Sequence, residues 1–364
     1  MKLYKIAILG PRGSVGRAVI AELLKDGPDR FEITAITRPG NTYTAPDTTA
    51  AATNIATKQA DFTSLDSLTA AFAGQDAVVN CISGSATQYD PSKLIIDAAL
   101  AAGSVRFFLA NEFVGNIQAE QYRRLPEQFV GGKVRIRKYL EGLAAEGKID
   151  WSAISGGPFF DMWLMKGPAG FDIKNRRARI YGAGAIKLCW TPLPMMARGV
   201  ANMLRWYGDD DESGGKRDTS GFVNKGILVN GVRGLSQNAI LAVLEDMFAP
   251  TTTISTTTDG SGGHDAEAAR GKVFEVTHVD IAKINANARI ALERGEAAKA
   301  MKGLGISNQF YEGDHAGDFT HLCSNEAVGV ESVSVEQAVR DAVAAYGEDC
   351  DIVEGMYFIE PCEV

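Results

Sequence analysis

The chain has few of the residues on which metal centres and disulfide frameworks depend. Its 364 residues include five cysteines and four histidines. The cysteines are odd in number and lack metal-type spacing, so we expect reduced thiols and no metal. The acidic and histidine-containing run from Asp314 to His321 matches no metal-ligand spacing either. The cysteines are Cys81, Cys189, Cys323, Cys350 and Cys362.

An excess of basic charge and a long hydrophobic run are also missing. Lys and Arg number 37 against 45 Asp and Glu, which gives a formal net charge of −8. A nucleic-acid partner is disfavoured, because such binding needs clustered cations that neutralise phosphates. No apolar run approaches the length of a bilayer, and residues 1–9 are too short for a signal peptide. We therefore expect a cytoplasmic protein with no membrane partner.

The N-terminal residues combine a short apolar run with three evenly spaced glycines. Residues 5–9 predict a strand, and Gly10, Gly13 and Gly16 lead into a segment that predicts a helix. This context is typical of a dinucleotide phosphate loop. The three glycines would permit the turn, the approach of the phosphates and the packing of helix on strand, while backbone amides at the helix N-terminus face the pyrophosphate.

The end of the next predicted strand indicates which dinucleotide binds. Residues 31–37 are followed by Arg38 where an NAD-binding chain would place a carboxylate, and Arg12 lies within the glycine loop. An arginine can pair with the 2′-phosphate of NADP, whereas a carboxylate accepts a hydrogen bond from the ribose hydroxyl of NAD. NADP(H) is therefore the expected cofactor.

Strand-like and helix-like segments alternate through the first 155 residues. This alternation predicts an α/β fold with a doubly wound parallel sheet of six strands, a Rossmann domain over residues 1–155. Residues 156–364 are less regular and predict a smaller α+β substrate-binding region, with some segments returning to the sheet. Strands are predicted there at 187–190 and 226–230, outside the main repeat. One helix is predicted to begin at Thr63 or Ser64, and further helices are predicted at 91–102 after Asp90 as a cap, and at 133–145, 194–206, 236–248 and 334–346.

No convincing acid–base pair of the kind that short-chain dehydrogenases usually carry lies at the right point of the predicted fold. Those enzymes place a tyrosine four residues before a lysine on one helix. Here Tyr122 is followed at that distance by Pro126, and Tyr139 by Leu143. Either the chain is not a reductase or its acid–base residue comes from elsewhere.

The segment from Gly132 to Glu141 resembles the Lys-x-x-Ile-Arg-Arg-x-Ile-Glu helix of isoflavone reductase-like and NmrA-like proteins, an atypical branch of the short-chain dehydrogenases. Three more stretches agree in order and spacing: the glycine loop, residues 105–113 and residues 151–160. The resemblance covers roughly residues 1–165. The insertions at 208–220 and 250–264 are more similar to fungal members, many of which serve secondary metabolism.

The resemblance implies an NADP(H)-dependent reductase in which Lys133 contacts the nicotinamide ribose and transfers a proton. A positively charged ring nearby should lower the pKa of Lys133 toward a useful range. Glu112 is expected to orient Lys133 or act as a second acid, or else to shape its loop through backbone amides. The residues expected to contact the cofactor are Gly10, Arg12, Gly13, Ser14, Val15, Gly16, Arg38, Asp61, Phe62, Ser83, Asn111, Lys133, Gly157 and Phe159.

Aromatic side chains near the predicted site suggest the substrate class. They would line a pocket for an aromatic or heterocyclic small molecule, or else belong to the core. The sequence leaves the oligomeric state open, a homodimer included. The residues concerned are Phe113, Phe159, Phe160 and Trp163.

Three functions remain in competition at this point. The first is the NADP(H)-dependent reductase. The second is a tailoring enzyme that catalyses cyclisation or C–C bond formation, for instance at an iminium carbon, with Glu112 or Lys133 as acid–base residue. The third is a non-catalytic NmrA-like sensor of NADP, although such sensors tend to lack the lysine. Ala110, Asn111 and Gly157 depart from the family pattern, so the substrate differs from that of the plant enzymes.

Overall fold

The computed structural model describes residues 2–27, 29–45, 55–123, 127–210, 214–249, 273–312 and 316–357. The chain divides into two compact units. The first unit consists of Met1–Phe160, Cys189–Arg233 and Ala316–Ser332, and the second of Asp161–Leu188, Gly234–His315 and Val333–Val364. Across the described ranges, no helix is long and apolar enough to cross a membrane.

The first unit is built on a parallel sheet of seven strands. Their order is β3-β2-β1-β4-β5-β6-β9, and every neighbouring pair is parallel. This is the doubly wound arrangement in which ligands bind beyond the carboxyl ends of the strands, where the strand order reverses. The strands are β1 (Lys5–Leu9), β2 (Glu32–Thr37), β3 (Ile55–Gln59), β4 (Ala77–Asn80), β5 (Phe107–Leu109), β6 (Asp150–Ser155) and β9 (Lys225–Leu228).

Helices cover both faces of this sheet because its strands are apolar on both sides. Helices α1 (Ser14–Leu24) and α7 (Leu193–Trp206) pack on one face, where Ile6 and Ile8 join Val19 and Val200 in a buried cluster. The opposite face, reached by Ala7 and Leu9, is covered by α2 (Leu65–Phe72), α3 (Tyr89–Ala101) and α5 (Gly132–Ala145). Strands that are buried on both faces are typical of parallel sheets.

The second unit has a three-stranded sheet and its own helices. Strand β8 (Arg177–Tyr181) pairs antiparallel with β7 (Phe171–Asp172) and parallel with β11 (Glu275–Val279). Helix α9 packs on α10, and α8 packs on α11. The helices are α6 (Phe160–Lys166, which begins in the first unit), α8 (Gln237–Met247), α9 (Ile281–Glu293), α10 (Ala297–Phe310), α11 (Val335–Tyr346) and α12 (Glu354–Tyr357). The remaining short elements are α4 (Glu120–Arg123), β10 (Val232–Arg233) and β12 (Val333–Ser334).

The doubly wound parallel sheet is confirmed, and four details of the prediction are wrong. The sheet has seven strands, since residues 226–230, predicted outside the repeat, supply most of β9 beside β6. Residues 187–190 form no strand, and Leu188 makes a single bridge to Leu235. Helix α3 begins before Asp90, with Gln88 at its N-cap. Helices α9 and α10 were not predicted, although Asp280 caps the first of them.

Candidate functional site

The glycine loop connects β1 to α1 in the conformation that a phosphate loop requires. Gly10 has φ +73°, and a Cβ there would lie 2.6 Å from the carbonyl oxygen of Cys81. A Cβ on Gly16 would collide with the carbonyl oxygen of Gly10. Gly13 meets only ordinary contacts and forms the N-cap of α1 without a side-chain cap. The amides of the first turn, including those of Ser14 and Val15, therefore keep their capacity to bind an anion.

A cavity of about 300 Å³ opens beside this loop at the carboxyl ends of the strands. Arg12 and Arg38 both line it and both are exposed. Arg12 donates a hydrogen bond to Asn41 Oδ1 at 3.2 Å, and the Arg38 guanidinium carbon lies 5.7 Å from the centre of the Phe62 ring. None of the described residues that line the cavity is acidic. This charge pattern suits a phosphate better than a ribose hydroxyl.

The other residues predicted around this cavity divide between lining and support. Phe62 and Ser83 line the cavity. The Asp61 carboxylate instead accepts hydrogen bonds from the amide and hydroxyl of Thr63, at 2.9 and 2.7 Å. The Thr63 hydroxyl, with that amide, lowers the pKa of Asp61. Asp61 thus shapes the turn before α2, and its carboxylate does not line the cavity.

Lys133 lies in the first turn of α5, and its amine is held by Asn111 in the loop after β5. Its Nζ donates to both the backbone oxygen and Oδ1 of Asn111, each at 2.6 Å. The side-chain nitrogen Nδ2 of Asn111 donates in turn to the carbonyl oxygen of Ile82. Ile82 lines the 300 Å³ cavity. A cavity of about 10 Å³ adjoins Lys133 and is lined in part by Asn80, Thr87 and Ser92. The apolar residues Ile96, Phe108 and Ile136 line the rest of this cavity.

Burial changes the acidity of this amine. Desolvation lowers the pKa of Lys133 to about 8, and the negative charge of Glu112 offsets part of the effect. Both partners of Nζ on Asn111 are neutral oxygens, which accept a hydrogen bond but add no full charge. An amine with this pKa can both give and take a proton near neutral pH.

Glu112 is paired with a cation rather than directed at a cavity. It is 1% exposed, and Arg137 holds its carboxylate with two hydrogen bonds, one from Nε at 2.9 Å and one from Nη2. The Glu112 carbonyl oxygen accepts a hydrogen bond from the Ser155 hydroxyl at 2.6 Å. The Arg137 guanidinium lies against Gly226, where a Cβ would collide with Nη2. The ion pair of Glu112 and Arg137 therefore links the loop after β5 to α5 and packs against β9.

The loop after β6 is packed tightly against the segment at 189–191. Gly157 has φ +70° and its amide donates to the carbonyl oxygen of Val114 at 3.1 Å. A Cβ on Gly157 would collide with the carbonyl oxygen of Cys189, and one on Gly156 would lie 2.5 Å from Thr191 Oγ1. Both glycines are therefore required by this packing, whatever role they have toward a ligand.

The four predicted substrate residues differ in exposure. Phe113 and Phe159 are half-buried and pack against the same hydrophobic cluster of the first unit. Phe160 is completely buried, so its ring belongs to the core. Trp163 is half-buried and lies on the part of α6 that belongs to the second unit. Of the four predicted residues, Phe113 and Phe159 are therefore the half-buried ones that belong to the first unit.

Sequence reasoning missed two residues of the site. Asn41 lines the cavity, and its backbone oxygen accepts from Thr37 Oγ1 at 2.7 Å and Gln59 Nε2 at 3.0 Å. Arg137 was visible in the helix motif but had no assigned partner. Within the described ranges, no group of three His, Cys, Asp or Glu residues could hold a metal ion. His264, His315 and Cys362 lie outside those ranges.

Comparison with known proteins adds evidence on the first unit and on the fold. Residues 10–162 match the family described as NAD(P)H-binding. The NmrA-like family domain-containing oxidoreductase ptmS of Penicillium ochrochloron is 35% identical over 107 residues. That match covers 27% of this chain and 31% of the fungal protein, so it spans about a third of the relative.

Solved structures resemble the chain over nearly its whole length. Isoflavone reductase aligns over 93% of this chain and 99% of its own, with a TM-score of 0.63 and 18% identity. The complex of leucoanthocyanidin reductase from Vitis vinifera with NADPH aligns over the same shares, with a TM-score of 0.63 and 15% identity. At such identities the likeness concerns the fold. The chain therefore carries an NAD(P)H-binding domain within an isoflavone reductase-like fold, as its motifs predicted.

Proposed function

We propose that the protein is an NADPH-dependent reductase of an aromatic or heterocyclic small molecule, with Lys133 as its proton donor. The observation that carries the proposal is the position of Lys133, half-buried and held by Asn111 after β5, which lies two strands from β1 and its glycine loop in the sheet. When bound, NADPH supplies a hydride from its nicotinamide ring. Lys133, with a pKa of about 8, supplies the proton.

The first unit offers a suitable cradle for the dinucleotide. The amides at the N-terminus of α1 would hold the pyrophosphate, and Gly10 and Gly16 keep the loop compact enough for it to approach. Arg38 and Arg12 would hold the 2′-phosphate, with Phe62 as a flat neighbour for Arg38. These contacts favour NADPH over NADH.

The proposed substrate class rests on the aromatic rings and on the relatives. Phe113 and Phe159 pack against the same hydrophobic cluster of the first unit and are half-buried. Isoflavones and leucoanthocyanidins, named in the similar reductases, are aromatic oxygen heterocycles. We assign Glu112 a structural role here, because its carboxylate is occupied by Arg137. A role in secondary metabolism is part of the same proposal.

Calorimetric titration with NADPH and NADH tests the cofactor half of the proposal. We expect NADPH to bind more tightly, and Arg38→Ala to weaken NADPH binding by about 10- to 100-fold while leaving NADH binding unchanged. Arg340→Ala, which removes an exposed arginine of the second unit, is the matched control. Equal affinity of the unmodified chain for both dinucleotides would refute the preference.

Product mass tests the reaction half. A reductase consumes NADPH, and its product is heavier than the substrate by two hydrogens. A cyclase or condensing enzyme would leave NADPH unconsumed, and a sensor would bind NADPH without converting any member of an aromatic substrate panel. We expect stoichiometric NADPH oxidation that depends on Lys133.

A further inference from the structure

Two cysteines that are far apart in the sequence meet beside the loop that follows β6. Cys189 is completely buried and Cys323 is partly exposed, and both are free thiols. Phe319 contacts both sulfurs, because its amide donates to Cys189 Sγ at 3.3 Å and its carbonyl oxygen accepts a hydrogen bond from Cys323 Sγ at 3.5 Å. The two sulfurs are therefore neighbours in the first unit, although 134 positions separate the residues in the sequence.

The surroundings of Cys189 favour negative charge on its sulfur. The Phe319 amide donates to Sγ at 3.3 Å, and the Thr320 hydroxyl oxygen lies 3.1 Å from it. Asp318 Oδ1, at 3.7 Å, opposes this charge. The neighbouring Cys323 thiol lowers the pKa of Cys189, while Cys189 raises the pKa of Cys323. Negative charge is therefore less costly on the Cys189 sulfur, and Cys323 is the more exposed of the two residues.

The other described cysteines lack this arrangement. Cys81 is buried in the sheet, where burial raises the pKa of its thiol. Cys350 is partly exposed, and its sulfur lies 3.1 Å from Lys166 Nζ in the second unit. No thiol partner accompanies either residue among the hydrogen bonds of the described ranges. Cys350 is therefore a natural internal control for thiol chemistry.

The backbone of Cys189 is in direct contact with the loop after β6, which contains the predicted cofactor residue Gly157. Its carbonyl oxygen fills the space where Gly157 would carry a Cβ. Two residues on, the Thr191 carbonyl oxygen accepts from the Phe160 amide at 3.2 Å, and the Thr191 amide donates to the Pro158 carbonyl oxygen at 3.3 Å. Since this packing leaves no gap, a shift of Cys189 must move the loop.

We infer that Cys189 and Cys323 form a redox-active dithiol that closes to a disulfide under peroxide and thereby weakens NADPH binding. The S–S bond forms as the O–O bond of hydrogen peroxide breaks, the two thiol protons pass to oxygen, and two waters leave. The sulfurs lose two electrons, which the peroxide gains. A thiol reductant reverses the step. The effect on NADPH binding rests on the proposed function, whereas the formation of the disulfide does not.

Peptide mapping of the full chain tests the disulfide directly. The reduced protein is treated with hydrogen peroxide, its remaining thiols are alkylated and its peptides are identified without reduction. We expect a linked pair containing Cys189 and Cys323, lost in Cys323→Ser and retained in Cys350→Ser. A linkage between other cysteines, or irreversible oxidation of Cys189 without linkage, would overturn the inference. The mapping of the unmodified chain needs no variant, so a folding defect in Cys323→Ser leaves it decisive.

Calorimetry with NADPH then tests the coupling to the site. We expect oxidation to raise the Kd for NADPH by about tenfold and dithiothreitol to restore it. An oxidised protein that carries the disulfide but binds NADPH as the reduced protein does would refute the coupling. A reduced protein that binds no NADPH would instead refute the proposed function, and the linked peptides would still report on the dithiol.

Discussion

At the scale of single residues, the buried amine of Lys133 carries a cost in stability. Its folded pKa of about 8 lies below the value of 10.5 that it has when exposed. The unfolded chain therefore binds more protons between about pH 8 and pH 10.5. The contribution of Lys133 to stability is least favourable below pH 8 and improves as the pH rises through this window.

Replacing Lys133 with methionine is expected to abolish turnover and stabilise the fold. Methionine keeps the apolar stem and removes the buried charge, so at pH 7 we expect a gain of about 1 kcal/mol in the free energy of unfolding. Turnover should fall by about 100-fold or more, because no proton donor remains. Denaturant unfolding and NADPH consumption measure the two effects. Lys138→Met, on the exposed side of the same helix, should change neither, and a destabilised Lys133→Met would contradict this account.

Asn111→Asp should move the pH dependence of the reaction. The substitution places a carboxylate on the Lys133 amine, which raises its pKa. Since the proposed donor is the protonated amine, turnover by the unmodified protein should decline above about pH 8. In Asn111→Asp the rate should decline at a pH about one pH unit higher. A pH–rate profile beside Asn116→Asp, in the same loop, measures this, and an unchanged profile in Asn111→Asp would exclude Lys133 as the titrating donor.

At the scale of elements, one ion pair determines how α5 sits on the sheet. Glu112 follows β5, Arg137 lies on α5, and Gly226 of β9 leaves room for the guanidinium. The Ser155 hydroxyl at the end of β6 donates a hydrogen bond to the Glu112 carbonyl oxygen. Lys133 lies one turn before Arg137 on the same helix face, so the pair that fixes α5 also fixes the amine.

A double-mutant cycle should show strong coupling in this pair. Glu112→Gln and Arg137→Met each leave a buried group without its partner, so each should cost about 3–5 kcal/mol of unfolding free energy. The double variant should cost less than the sum of the two single changes. Arg135→Met, elsewhere on α5, breaks the exposed pair with Glu127, which precedes the helix, and should cost at most about 1 kcal/mol. Additive costs for Glu112 and Arg137 in denaturant unfolding would show that they act independently.

At the scale of the whole molecule, the NAD(P)H-binding unit is assembled from three separate stretches of chain. Its later stretches contribute α7, which packs on α1, and β9, which extends the sheet beyond β6. Val200 of α7 and Ile227 of β9 are buried in the same cluster as Val19 of α1. The glycine loop thus depends on residues near position 200 for the support of its helix.

A fragment that ends at residue 160 should therefore not fold by itself. It retains every residue of the glycine loop and both arginines, but it exposes the apolar surface that α7 covers and an unpaired edge on β6. We expect no cooperative thermal transition and NADPH binding at least about 100-fold weaker than that of the full chain. Circular dichroism and calorimetry measure both. A fragment with a sharp transition and full affinity would show that the later stretches are dispensable.

The sequence by itself determined the features that depend on neighbours along the chain. The glycine spacing, the arginine after β2 and the helix N-cap at Ser334 act within a few residues, so local pattern was sufficient. The same locality explains why the alternation of strands and helices predicted a doubly wound sheet. Matches to the family motifs then supplied Lys133 and Glu112.

Only the tertiary structure decided which distant groups meet. Asn111 and Lys133 are 22 residues apart, and Glu112 and Arg137 are 25 apart. The sequence could not show that Glu112 is consumed by an ion pair, or that β9 joins the sheet beside β6. It also gave no sign that Gly157 lies against Cys189. Such contacts arise from the packing of separate segments, and no local pattern in either segment specifies its partner.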